Sequence, residues 1–261
     1  MAEEIIKDVF TPTCAGRIHH IESGSGRPLV LLHSTGFSSW QWRKALPGLA
    51  RSRRVLAVDL LGHGDSDSFF RHCSIIDHAK IVLEWMEAIG LGKPVICGNS
   101  IGGVICLALA SEFAGRIGKA ILVETPVRDE AQWKAQWANS ERYFSSGAHP
   151  YEIVQSRFAE PTPELHERWN IDRNKAGARV MVDGLWAIRQ FDAPGALVRL
   201  QTSAIAIFGE KGPVRDVWPL YIEKLGSSAV TVLPGCGHFP MIDDPMAFVS
   251  AVDLFDPDQA P

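Results

Sequence analysis

Pro94-Val95-Ile96-Cys97-Gly98-Asn99-Ser100-Ile101-Gly102-Gly103 is the stretch on which the fold turns. Pro94 to Asn99 is a short apolar run, right for a buried parallel strand. Ile101 to Glu112 reads as a helix that is apolar nearly all round. A strand that turns at once into a helix cramps the backbone at Ser100. Side chains at 98 and 102 would collide where strand and helix pack closest, and both positions are Gly. This is the G-x-S-x-G elbow pattern. It exposes the serine hydroxyl at the C-terminal edge of a sheet. It also aims the first helix amides at that point, where they stabilise a developing negative charge. The competing reading is a serine N-cap on an ordinary strand-to-helix turn. The rest of the chain decides between the two.

On both sides of the elbow the text alternates between strand and helix. Ile5 to Thr11 and Gly16 to Ser23 read as an antiparallel hairpin, followed by a turn cluster and a buried strand, Leu29 to Leu32. Trp40 to Ala50 reads as an amphipathic helix, and Arg54 to Asp59 as the next buried strand. Ser74 to Ile89 has apolar residues at helical spacing and is closed by Gly90 and Gly92. Ile117 to Val123 is a strand ending in Glu124-Thr125-Pro126. From Pro126 to about Leu200 the pattern is helical and rich in tryptophan. The rhythm then resumes with Ala204 to Phe208, a helix near Val217 to Leu225, Val230 to Leu233, and a closing helix from Pro245 to Phe255. The tail from Asp256 reads as loose. This order predicts an α/β fold: a mostly parallel, doubly wound sheet with an inserted helical lid. Residues 1–125 and 201–261 form the core and 126–200 the lid.

Composition narrows the function. The chain has 261 residues, 46% of them apolar and 21% charged, with a net charge of −4. No basic stripe points to nucleic acid. No apolar run is long enough to span a bilayer, and the first residues are acidic where a signal peptide would be basic. Five cysteines without a C-x-x-C pair speak against zinc and dithiol chemistry. A cytoplasmic protein acting on a small molecule is expected, with a homodimer left open.

Every polar group of interest falls at the C-terminal end of a strand, where such sheets carry their chemistry. A serine hydroxyl needs a base. His238, between glycines after the last strand, is the best placed; His33 and His63 are its rivals, and His33 is expected to support loop backbone instead. A histidine base in turn needs an acceptor on its other nitrogen.

Leu31-Leu-His-Ser-Thr-Gly, Asp59-Leu-Leu-Gly-His-Gly-Asp-Ser, Gly98-Asn-Ser-Ile-Gly-Gly, Ile207-Phe-Gly-Glu-Lys and Gly235-Cys-Gly-His-Phe follow one another in an order that resembles the α/β-hydrolases. The resemblance covers nearly the whole chain and is weakest in the lid. It implies a triad of Ser100, His238 and a carboxylate. The commonest pattern in the family puts an Asp in the loop after the penultimate strand, where this chain has Gly212. Some haloalkane dehalogenases and the zearalenone-type lactonases place their acid after the strand that follows the elbow helix, which here is Glu124. Glu124 is therefore the expected acid, with Asp216 and Glu210 in reserve. By the same alignment the backbone N–H groups of Thr35 and Ile101 form the oxyanion hole, although Ser34 stands where the family usually has Gly. Asp65 is expected to bond loop amides, and Trp186 to form a pocket wall for an apolar ligand.

The resemblance implies a cofactor-free, metal-free serine hydrolase, a lactonase or carboxylesterase. A serine at the elbow argues against dehalogenation, which needs a carboxylate nucleophile. Three alternatives stand beside it: hydrolysis of a carbon–carbon bond in a ring-cleavage product, a ligand receptor built on the hydrolase fold, and cofactor-free peroxide chemistry.

Overall fold

The computed structural model describes residues 6–69 and 71–257. Eight strands form one sheet: β1 (Lys7–Thr13), β2 (Gly16–Ser23), β3 (Arg27–Leu32), β4 (Arg53–Val58), β5 (Val95–Asn99), β6 (Lys119–Val123), β7 (Ala204–Gly209) and β8 (Val230–Leu233). Their spatial order is β1-β2-β4-β3-β5-β6-β7-β8. The β1–β2 hairpin pairs antiparallel and docks antiparallel on β4. Every other pairing is parallel. Leu29 to Leu32 and all of β5 are buried. This is the burial expected of central strands covered by helices on both faces.

The helices are α1 (Leu46–Leu49), α2 (Ile75–Ala88), α3 (Ile101–Glu112), α4 (Glu130–Phe144), α5 (Tyr151–Gln155), α6 (Pro163–Gln190), α7 (Ala193–Val198), α8 (Trp218–Leu225), α9 (Pro240–Asp243) and α10 (Pro245–Phe255). One apolar cluster packs α2, α3 and α8 on one face of the sheet, and a second packs α1, α9 and α10 on the other. Helix α2 starts in a capping box: Ser74 Oγ accepts from the Asp77 amide while Asp77 accepts from the Ser74 amide. Helices α4 to α7 come between β6 and β7 in sequence; α4 and α5 pack on α6, α7 packs on α3, and α6 kinks at Gly177, where φ is 76°. No helix among the described residues is long and apolar enough to cross a membrane.

Four local expectations are corrected. The expected first strand shifts to Lys7–Thr13, and Ile5 lies outside the described residues. Trp40 to Ala50 is not one helix: a 3-10 turn at Ser39–Trp42 and the short α1 replace it. Pro47 has no N–H to donate and so fits only the first turn of a helix, which makes it a starting point for α1. The loop before the closing helix contains α9. Asp256 is not loose. Its buried carboxylate meets Arg27 at 3.1 Å and Lys119 at 3.0 Å, and its carbonyl accepts from Arg53.

His20, His63 and His78 are buried, and burial pushes their pKa values down to about 4, 3 and 4. In the unfolded chain each titrates near 6.5. Between about pH 6.5 and 4 the unfolded chain therefore binds protons that the folded chain does not, and stability falls as pH falls. Each histidine is expected to remove up to about 2 kcal/mol between pH 6.5 and 5. Urea unfolding midpoints at pH 7 and pH 5 check this; equal midpoints would contradict it.

Candidate active site

The elbow is tight because backbone meets backbone there. Ser100 sits at φ 56° and ψ −116°, outside the regions that side-chain-bearing residues favour. A Cβ at Gly98 would strike the Gly102 carbonyl, and one at Gly102 would strike the Leu32 carbonyl. Gly98→Ala should therefore force β5 and α3 apart and cost on the order of 3 kcal/mol. A thermal melt unchanged from wild type would refute that packing argument.

Glu124 follows β6 with φ at 45°, its amide donating to the Ile207 carbonyl. Its side chain is fully buried. Oε1 accepts from the Gly209 amide at 2.9 Å, and Oε2 lies 3.1 Å from His238 Nδ1. A buried carboxylate is costly unless bonded, and here both oxygens are engaged. Gly212 is glycine for the same reason: a Cβ there would fall on the Glu124 carboxylate. The volume that an Asp side chain at 212 would need is already filled by Glu124.

His238 is largely buried, with its ring edge-on to Phe239 at 4.8 Å. Its loop is held by the Gly237 amide, which donates to Asp243, and by the Lys211 amide, which donates to the Cys236 carbonyl. The reserve acids are engaged elsewhere. Asp216 is half-exposed and pairs with Arg128 at 2.9 Å, and Glu210 accepts from the Gly235 amide.

Thr35 lies in a turn closed by the Phe37 amide donating to the Ser34 carbonyl, with Gly36 at φ 76°. The Thr35 amide has no acceptor among the described residues. Ile101 is the first residue of α3, so its amide has no intrahelical acceptor. His33 supports this loop. Its Nε2 accepts from the Leu60 amide and its Nδ1 donates to the Ser34 carbonyl, which requires a neutral ring, and burial keeps its pKa below the ordinary value.

A buried network, not visible in the motifs, ties the loops together. Gln41 Oε1 accepts from the Ser34 amide, and Gln41 Nε2 donates to Asn99 Oδ1 at 3.2 Å. Asn99 Nδ2 reaches the carbonyls of Val123 and His238, each at 3.3 Å. Gln41 hid inside a stretch that reads as an amphipathic helix.

Two residue assignments change. Asp65 does not bond loop amides; Asp59 does, accepting from the amides of Ser39 and Asp65, while the exposed Asp65 side chain pairs with Lys175. Trp186 does not wall the site. It packs at 4.3 Å on Trp137 and at 5.0 Å on Arg189. On α6 the residues that face Ser100 are Leu185 and Ile188, one turn apart, which turns Trp186 to another side. Ser100 and His238 open on a cavity of about 180 Å³ whose aromatic walls are Trp133 and Phe144.

This architecture has a family. The chain belongs to the alpha/beta hydrolase family, whose pattern matches residues 29–252. It is 27% identical to 2-hydroxymuconate semialdehyde hydrolase of Pseudomonas sp. strain CF600, covering 97% of this chain and 94% of that protein. It is 26% identical to the pimeloyl-[acyl-carrier protein] methyl ester esterase of Nitrosospira multiformis, over 90% of this chain and 97% of that one. Among solved structures, an esterase from Exiguobacterium antarcticum superposes with a TM-score of 0.81 at 19% identity, covering 97% of this chain and all of the other.

Proposed function

We propose that the protein is a serine hydrolase that cleaves a carboxylic ester or lactone through an acyl-enzyme. The observation that carries this is the Glu124–His238 contact, with His238 lining the same cavity as Ser100. Glu124 accepts the Nδ1 proton of His238, leaving Nε2 as the base. Ser100 Oγ attacks the substrate carbonyl carbon as His238 Nε2 takes its proton. The oxyanion so formed is held by the Thr35 and Ile101 amides. As the intermediate collapses, the carbon–oxygen bond to the leaving alcohol breaks and His238 returns the proton to that oxygen. Water then attacks the acyl-enzyme by the same route, releasing the acid and restoring Ser100.

Carbon–carbon hydrolysis is the second reading, favoured by the likeness to 2-hydroxymuconate semialdehyde hydrolase. A proton-release screen separates the two. Acid release from aryl esters or lactones that disappears in Ser100→Ala supports the ester reading. Silence there, with bleaching of a vinylogous diketo acid, supports carbon–carbon cleavage.

A further inference from the structure

The cavity at Ser100 shares part of its wall with a second cavity. This second cavity is a groove of about 670 Å³ running along α4 to the segment 146–150. The two share Gln136, Ser140, Phe144 and Arg157. Gln136, Ser140 and Phe144 recur every fourth residue of α4 and so lie on one face of it. Arg157 comes from just beyond α5.

Charge is distributed unevenly around these two cavities. The chain as a whole carries −4, yet no Asp or Glu lines either cavity among the described residues. Arg128, which lines the Ser100 cavity, is neutralised by Asp216. Arg157 has no carboxylate partner among the described residues. Its guanidinium lies 4.5 Å from the centre of the Tyr143 ring, which restrains it without neutralising it. The side chains of Gln136 and Ser140 make no hydrogen bond within the described protein. A half-buried cation and two polar side chains without a hydrogen bond among the described residues thus line both cavities. Partly desolvated donors of this kind call for an acceptor. A guanidinium matches a carboxylate with two parallel hydrogen bonds.

We infer that the substrate carries a carboxylate, which Arg157 binds in the wall that the two cavities share, a wall that Gln136 and Ser140 also line. The protein's esters are then acid-bearing ones, such as half-esters of dicarboxylic acids, amphipathic where the tryptophan-rich lid alone leads one to expect an apolar ligand. The reacting end of this inference rests on the serine-hydrolase reading; the anion end does not.

The test uses a matched pair, monomethyl adipate and methyl hexanoate. Wild type should prefer the half-ester in kcat/KM by at least about 10-fold. Arg157→Gln should lower that ratio by about 30-fold, mostly through KM, as loss of a hydrogen bond to a charged group does. Arg157→Lys should recover part of it, and raising the salt should shrink the wild-type preference. Equal use of the two esters, or a ratio that Arg157→Gln leaves alone, overturns the carboxylate site and leaves the hydrolase reading standing. If neither ester is cleaved, calorimetry of adipate binding to Ser100→Ala decides. Binding that Arg157→Gln abolishes upholds the site and counts against the ester reading; no binding overturns the site.

Discussion

Glu124→Gln is expected to lower kcat by about 10,000-fold while the protein stays folded. The reason is the number of hydrogens. The buried carboxylate accepts from both the Gly209 amide and His238 Nδ1, and an amide side chain has only one accepting atom. If that oxygen faces Gly209, the NH2 group faces His238 and forces Nδ1 to accept. The proton then sits on Nε2, and the ring cannot take the Ser100 proton. If the oxygen faces His238, two donors oppose one another at Gly209 around a fully buried side chain. Either outcome is costly, and neither needs the backbone to move. Steady-state kinetics on an active ester, with circular dichroism as the folding control, checks the expectation. A kcat within 10-fold of wild type would remove Glu124 from the proposed triad. The filled space at Gly212 sharpens the test. Gly212→Asp alone should be inactive, because two carboxylates would compete for one volume. Combined with Glu124→Gly, it should recover at least about 10-fold over Glu124→Gly alone, since the new carboxylate enters the vacated space.

Ser100→Ala and Ser100→Gly should both abolish turnover, with losses on the order of a million-fold. They should part in stability. Ser100 is held at φ 56°, ψ −116°, a conformation that costs about 1–3 kcal/mol with a side chain and little without one. Ser100→Gly is expected to raise the melting temperature over Ser100→Ala, although glycine's greater freedom in the unfolded chain offsets part of the gain. Equal or inverted melting temperatures would mean that the elbow stores no strain.

Much of the fold was legible because the elbow's requirements are local. A strand, one cramped residue and a helix leave a mark in ten consecutive positions, and that mark located Ser100. Glu124 was legible as a carboxylate at the end of an apolar strand, a placement that demands a partner. The reason for Gly212 was not, because it depends on a side chain 88 positions away in sequence that fills the same space. Which face of α6 looks inward was also hidden. The helix is kinked at Gly177 and apolar on more than one side, so spacing alone could not separate Trp186 from Leu185 and Ile188. Asp59 and Asp65 are interchangeable in a glycine-rich loop until the backbone path says which one turns inward. Arg157 carried no motif at all. Its importance comes from what is missing around it, and an absent counter-charge is a property of three dimensions.

The most direct test of the central claim is intact-mass spectrometry after reaction with a fluorophosphonate, which phosphonylates a serine only when a base activates it. The account predicts a single adduct on wild type, mapping to Ser100 after digestion, absent in Ser100→Ala and formed far more slowly in Glu124→Gln. A folded wild-type protein that gains no adduct, or gains it on another residue, would contradict it.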